Sequence, residues 1–426
     1  MANPAILGST YESLTISKNN KVVDIKGKTI SFDYYESLLS PNVTALMTIV
    51  DTGATTNSDP KYNKQQRIGT LYNALPITGG EKIEAIISSA LGKISYDKNY
   101  PFYVNGASNP TQESNREVVL LSLVSNPGII DAQSTLFEKY NGRISDTVRK
   151  LLKVNLNVPD TKLNIEPTRN SYSFLGKGKQ AFENILELSS KSIPVNGDPG
   201  YFFYETQKGF NFRSIDSLIS QEPKQTYRKY GVLKEGITND SNNYKILSAS
   251  VSKNQDILAA IKSGVYINKN NYFDPRTFTY TEDIITLSQS KLKNSLGKEP
   301  DFPSDLTSFS RVHYGILDIG TLDSNLYGET NNNPKDYQGK SSIRYNILFS
   351  QILNIQIPCN PELMAGDIIT CEFEAITQGQ KETNVNDPTQ SGNYLILHLC
   401  HHFDPKRSYT SLTLVRDTYG IYTSKK

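Results

Sequence analysis

The 426-residue chain has no tryptophan, three cysteines, three methionines and four histidines. Cys359, Cys371 and Cys400 all fall in the last quarter. An odd count without close pairing fits reduced thiols better than a disulfide framework, so no structural disulfide is expected. No apolar run approaches the roughly 20 residues that cross a bilayer. The opening MANPAILGSTYESLT also lacks a basic start followed by an apolar core, which points to folding in a cytoplasm. Charge of one sign is missing too: 45 basic and 43 acidic residues leave a formal +2 with no long block of either. That balance is not the footprint of a dedicated nucleic-acid binder. The cluster Lys18, Lys21, Lys26 and Lys28 reads as a solvated edge.

Recognisable catalytic spacing is equally scarce. No Gly-x-Ser-x-Gly elbow occurs, and Gly176-Lys177-Gly178-Lys179 fails the phosphate-loop spacing. It reads instead as the approach to a helix at Phe182. The stretch MTIVDTGAT, residues 47–55, resembles an aspartic-protease loop around Asp51. Such a protease needs two carboxylates sharing a proton, and the nearest second copy, at Asp318, has Ile319 where a hydroxyl residue is required. A strand end entering a turn explains the same letters, and Asp51→Asn is then expected to leave assembly nearly untouched. In a strand, His398, Cys400 and His402 would share one face and His401 the other. Without C-x-x-C or H-x-x-x-H pairs a half-buried strand is the better reading than a metal site. No catalytic, cofactor-binding or metal-ligating residue is assigned, and no cofactor is expected.

What the chain does contain is 26 tyrosines, 16 phenylalanines and many short β-prone runs separated by Asn, Ser, Gly and Pro. KVVDI, TISFDYYESL, VTALMTIV and the alternating Ile83, Ala85 and Ile87 suggest a closed or nearly closed antiparallel barrel in residues 1–125. From 126 to 223 the period changes. Ile144, Val148, Leu151 and Leu152 share one helical face, as do Phe182, Ile185 and Leu186, while GYFFYET and FNFRSID form a hairpin, giving an α/β domain. Strands return in 224–288 and 341–426 as a second barrel, with 289–340 as a loop-rich insertion. The fold class is therefore β-rich α+β: two antiparallel barrels with α/β inserted domains. LPITGGEKIEAII and IPCNPELMAGDIITCEF share an apolar-Pro opening, a Gly followed by an acid, and an apolar strand, a weak internal echo.

In order, DYYESLLSPNVTALMTIVDTG, LPITGGEKIEAII, FEKYNGRISDTVRKLL, GYFFYETQKGFNFRSIDSL, IPCNPELMAGDIITCEF, SGNYLILHLCHHFDP and LTLVRDTYG resemble the baseplate hub proteins of T-even-like contractile-tailed bacteriophages, cyanophage types included. The resemblance covers about half of the chain, with no clear match between Gln289 and Lys340. It implies a non-enzymatic structural protein of the virion tail baseplate, assembled in the host cytoplasm. Hubs of this family are homotrimers whose subunits each carry two tail-tube-like barrels, making a pseudo-sixfold ring between the sixfold tail tube protein and the threefold central spike protein. The design is shared with type VI secretion spikes. The implied partners also include the tape measure protein and other baseplate proteins, with DNA passing the channel unbound. Two rivals remain at this stage: a virion-associated hydrolase at Asp51, and a glycan-binding tail protein using exposed tyrosines and the 290–340 segment.

Overall fold

The computed structural model describes residues 6–51, 71, 75, 77–113, 116–229, 243–254, 256–275, 277–287, 295–297, 311–317, 333–375 and 386–418. Eight strands fill the first part: Thr10–Lys18 (β1), Lys21–Asp24 (β2), Thr29–Ser37 (β3), Thr44–Asp51 (β4), Lys82–Ser89 (β5), Gly92–Tyr96 (β6), Phe102–Glu113 (β7) and Arg116–Ser125 (β8). Their inward positions alternate as a half-buried strand requires. Ala45, Met47 and Ile49 of β4 and Ile83, Ala85 and Ile87 of β5 are buried, each large aliphatic contributing about 1.5–3 kcal/mol.

The middle part carries Lys139–Tyr140 (β9), Leu163–Ile165 (β10), Phe174–Leu175 (β11), Tyr201–Thr206 (β12) and Gly209–Ser214 (β13), with helices at Ile144–Lys150 and Ala181–Ser189. Ile144, Val148, Leu151, Leu152, Phe182 and Ile185 are buried in one core with Phe203 and Phe210. Leu186, grouped by sequence with that face, is exposed, and Leu188 is buried in its place, because i and i+3 from Ile185 share a stripe while i+1 does not. The Asp131 carboxylate accepts the Phe182 N–H at 3.0 Å, capping the helix start that its own Gln180 does not.

Thr226–Lys229 (β14), Ser248–Lys253 (β15), Ile267–Asp274 (β16), Thr279–Thr286 (β17), Arg311–Ile316 (β18), Gln351–Pro358 (β19), Ile368–Phe373 (β20), Gly392–Phe403 (β21) and Tyr409–Arg416 (β22) complete the strands. One 14-stranded sheet runs β15-β19-β22-β21-β3-β4-β8-β7-β5-β1-β2, with β6 on β5, β20 on β21 and β14 on β20. Cutting it between β21 and β3 leaves two halves of one plan. β3-β4-β8-β7-β5-β1 corresponds in order to β15-β19-β22-β21-β20-β14, except that β14 runs parallel to β20 where β1 runs antiparallel to β5. The join is the far end of β21, whose residues 398–403 pair with β3 after residues 392–395 have paired with β20. A single apolar core runs under both halves, from Leu14 to Leu414.

Residues 267–286, grouped by sequence with the second barrel, instead form a separate sheet, β17-β16-β18. The inward face of β16 is Asn268, Asn270, Tyr272 and Asp274, too polar to line an apolar core. It lies against the helix Gln338–Leu348, where Asn268 Nδ2 donates to Gly339 O at 3.1 Å. The insertion between β15 and β19 thus begins near residue 254, not 289; the first half has only a turn at that place, between β3 and β4. Most of 289–332 lies outside the described residues. Among the described residues no helix is long and apolar enough to cross a membrane.

Candidate functional site

The internal echo in the sequence is a shared structural device. Gly80 donates its N–H to Val104 O at 2.8 Å, and Val104 donates back to Glu81 O at 2.8 Å. Gly366 donates to Ile396 O at 2.9 Å, and Ile396 donates back to Asp367 O at 2.9 Å. Two residues therefore oppose one in each case, a β-bulge opened by a left-handed glycine, with φ of 79° at Gly80 and 86° at Gly366. Each following acid folds back on the turn: Glu81 accepts Thr78 N–H at 2.9 Å and Asp367 accepts Met364 N–H at 2.7 Å. A lysine closes each one, Lys18 at 2.6 Å and Lys224 at 2.7 Å. The bulges start β5 and β20, which are equivalent in the two halves.

The surroundings differ, and this gives a contrast. A Cβ on Gly80 would meet nothing within 4 Å, whereas one on Gly366 would sit 2.3 Å from the buried Tyr204 hydroxyl. Gly80→Ala is expected to cost about 1 kcal/mol from its backbone conformation alone. Gly366→Ala is expected to cost about 2 kcal/mol more, through displacement of Tyr204. Urea unfolding of the two variants side by side checks the order.

The β12–β13 hairpin is wedged between the halves by two buried carboxylates. Glu36, at the inward end of β3, accepts Tyr34 Oη at 2.6 Å and Gln207 N–H at 2.7 Å on Oε1, and Ala365 N–H at 2.9 Å on Oε2. One side chain of the first half thereby holds the hairpin turn and the Gly366 bulge of the second half. Glu205, on the hairpin, reaches the opposite way. It accepts Tyr100 Oη at 2.6 Å, Ser125 Oγ at 2.5 Å and Val43 N–H at 2.9 Å, all from the first half. Every residue of β12 is buried, Tyr201 and Phe203 against the middle core and Phe202 and Tyr204 against the second half.

Burial pushes the Glu36 carboxyl from 4.5 up to about 7, against the lowering effect of the three hydrogen bonds it accepts; burial likewise raises Glu205. A carboxyl raised on folding binds protons more tightly in the folded state. Its contribution is full below about pH 4.5 and lost as pH rises through about 7. Stability is therefore expected to drop between pH 5.5 and 8 by a component on the order of 2–3 kcal/mol that Glu36→Gln removes. Urea midpoints of both proteins at the two pH values test this.

The residues singled out by sequence go elsewhere. Asp51 ends β4 but is not an idle turn residue: it is 3% exposed, its Oδ1 pairs with Lys28 at 2.9 Å, and its Oδ2 accepts the Leu71 N–H. Among the described residues, these two partners are a cation and an amide. Asp51→Asn, expected from sequence to be silent, would weaken that pairing. Asp318 lies outside the described residues, as do residues 52–55. Lys18 and Lys28 prove to be partners of buried carboxylates, not solvated edge charges.

His398, Cys400 and His402 are half-buried on one side of β21 and His401 is fully buried on the other. His401 is held by Thr410 Oγ1 at 2.8 Å and Leu363 O at 3.2 Å, and burial pulls it down to about 4. His402 pairs with Asp33, which raises it. The structure gives each histidine its own surroundings, and among the described residues no metal-holding cluster forms. Gly176–Lys179 is a turn whose Gly178 N–H donates to Leu136 O at 2.8 Å. Glu36 and Glu205 were missed by sequence, and the only signal was an acid on the apolar face of a strand.

No protein-family model matches the chain. Its fold is that of solved tail proteins: the TM-score is 0.53 to the tail protein from Neisseria meningitidis MC58, at 10% identity with 96% of each chain covered. It is 0.52 to the 43 kDa tail protein of prophage MuSo2 from Shewanella oneidensis, at 9% identity over 96% of this chain and all of that one. In sequence the chain resembles baseplate hub proteins. It is 23% identical over 384 residues to a probable baseplate hub protein of Vibrio phage KVP40, spanning 84% of this chain and 86% of that relative.

Proposed function

We propose that this chain is a structural, non-enzymatic hub of a contractile phage-tail baseplate, a component of the virion. The observation that carries the reading is the repeated strand order with the same glycine bulge in both halves. Two similar but unequal units in one chain let a trimer offer six comparable positions, and a heterologous interface whose rotation closes gives a ring. The units are tube-like barrels, β1 to β8 in the first and β14, β15 and β19 to β22 in the second. One face of the ring meets the sixfold tail tube and the other the threefold central spike, with the tape measure and DNA in the channel. A formal charge of only +2 suits a wall past which DNA slides, since dense lysine and arginine would hold phosphates.

The buried carboxylates fit this role. Glu36 and Glu205 lock the two units and the hairpin into one body, so that both units of a subunit keep a fixed relation around the ring. Native mass spectrometry of the purified protein is the test. A species of three times 47.6 kDa is expected, alone or with the spike. A monomer under both conditions would remove the proposal.

A further inference from the structure

A charged cavity of about 350 Å³ lies where the hairpin meets the Gly366 bulge. Its walls carry Lys162, Lys208, Arg213 and Lys224 against a single carboxylate, Asp367. That carboxylate is already engaged by Lys224 and by the Met364 N–H. Arg213 donates from Nη1 to Gln221 Oε1 at 2.9 Å and from Nη2 to Ser217 O at 3.0 Å, both neutral acceptors. Lys162 rests 4.8 Å from the Tyr100 ring centroid and donates to Gln207 O at 3.1 Å. Burial draws its ammonium below the usual lysine range, against the raising effect of Glu205 and Asp97, and a further anion beside it would favour the charged form. Four cations facing one carboxylate in a concave wall concentrate positive potential there.

A second cavity of about 880 Å³ lies beside the first in the same cleft region, with Lys208 and Lys224 lining both. Its lining adds Lys93 and one carboxylate, Glu362, together with Ser95 and Gln225, a hydroxyl and an amide of the kind that hydrogen-bond a peptide backbone. We propose that this cleft binds an acidic, extended segment of a partner protein, its carboxylates held by Arg213, Lys162 and Lys208 and its backbone by the polar extension. A guanidinium fork matches a carboxylate bidentately, and a lone small anion would leave the larger cavity without a role. The inference needs only the folded chain, and does not rest on ring formation.

The test is fluorescence anisotropy of the full chain with a fluorescein-labelled hexaglutamate peptide at low salt, with hexaserine as control and inorganic pyrophosphate as competitor. Saturable hexaglutamate binding is expected. Lys208→Glu, at the exposed hairpin turn, should weaken it about tenfold without moving the melting temperature. Arg213→Lys should weaken it several-fold, since a point charge does not replace the fork. Lys406→Glu, an exposed lysine that lines neither cavity, should leave it unchanged. Absence of saturable binding, equal weakening by Lys406→Glu, indifference to Lys208→Glu, or tighter binding of pyrophosphate than of the peptide would each overturn the proposal.

Discussion

Glu205→Ala is expected to destabilise the protein by about 3–5 kcal/mol, with the damage concentrated at the hairpin. The side chain is 1% exposed and accepts from Tyr100, Ser125 and Val43 at once. Alanine removes the acceptor and leaves two hydroxyls and one backbone amide buried without it, each costing about 1–3 kcal/mol before any relaxation. It also takes away the negative charge that supports Lys162. Glu205→Gln keeps one acceptor oxygen in the same volume and should lose clearly less. Urea unfolding gives the total, and amide hydrogen exchange over residues 201–214 locates it. A loss under about 0.5 kcal/mol for alanine, or equal losses for alanine and glutamine, would show that the junction is not held by this carboxylate.

Arg344→Met is expected to cost a comparable 3–5 kcal/mol. Arg344 projects from the helix Gln338–Leu348, is 1% exposed, and pairs with Asp216 and, at 3.6 Å, with Asp417 at the end of β22. The pairing ties the insertion, the end of the hairpin segment and the second unit together. Without the guanidinium two carboxylates stay buried, one of them already raised by burial. Asp216 would still accept the Asp198 N–H at 2.8 Å, and Asp417 the Leu296 N–H at 3.0 Å. Neutralising both carboxylates as well, in Arg344→Met/Asp216→Asn/Asp417→Asn, is expected to recover a large part of the loss. A triple variant no more stable than the single one would contradict the assignment of the cost to stranded charge.

Strand positions were legible because burial on one side writes a period of two into the sequence, as in Ile83, Ala85 and Ile87. The helix at Ile144 was legible for the same reason at its own period. The echo of Gly80-Glu81 in Gly366-Asp367 could be seen because a left-handed bulge admits few residues. Its meaning needed the paired strands, β7 and β21, which are remote in sequence. The insertion was placed too late in the chain because β16 and β17 read as ordinary strands, while the burial of Asn268 and Asn270 on β16 depends on partners such as the Gly339 carbonyl, 71 residues away from Asn268. Glu36 and Glu205 were illegible for a related reason. A glutamate at the end of an aromatic strand reads as solvent-facing, and the donors that make its burial tolerable lie up to 329 residues away.

The most direct measurement of the central proposal is electron cryo-microscopy of the purified chain, reconstructed without imposed symmetry. The expected result is a threefold ring with an open channel, in which each subunit places two similar β-rich lobes at alternating positions, six in all. A monomeric particle, or a ring in which only one of the two halves of each sheet borders the channel, would contradict it.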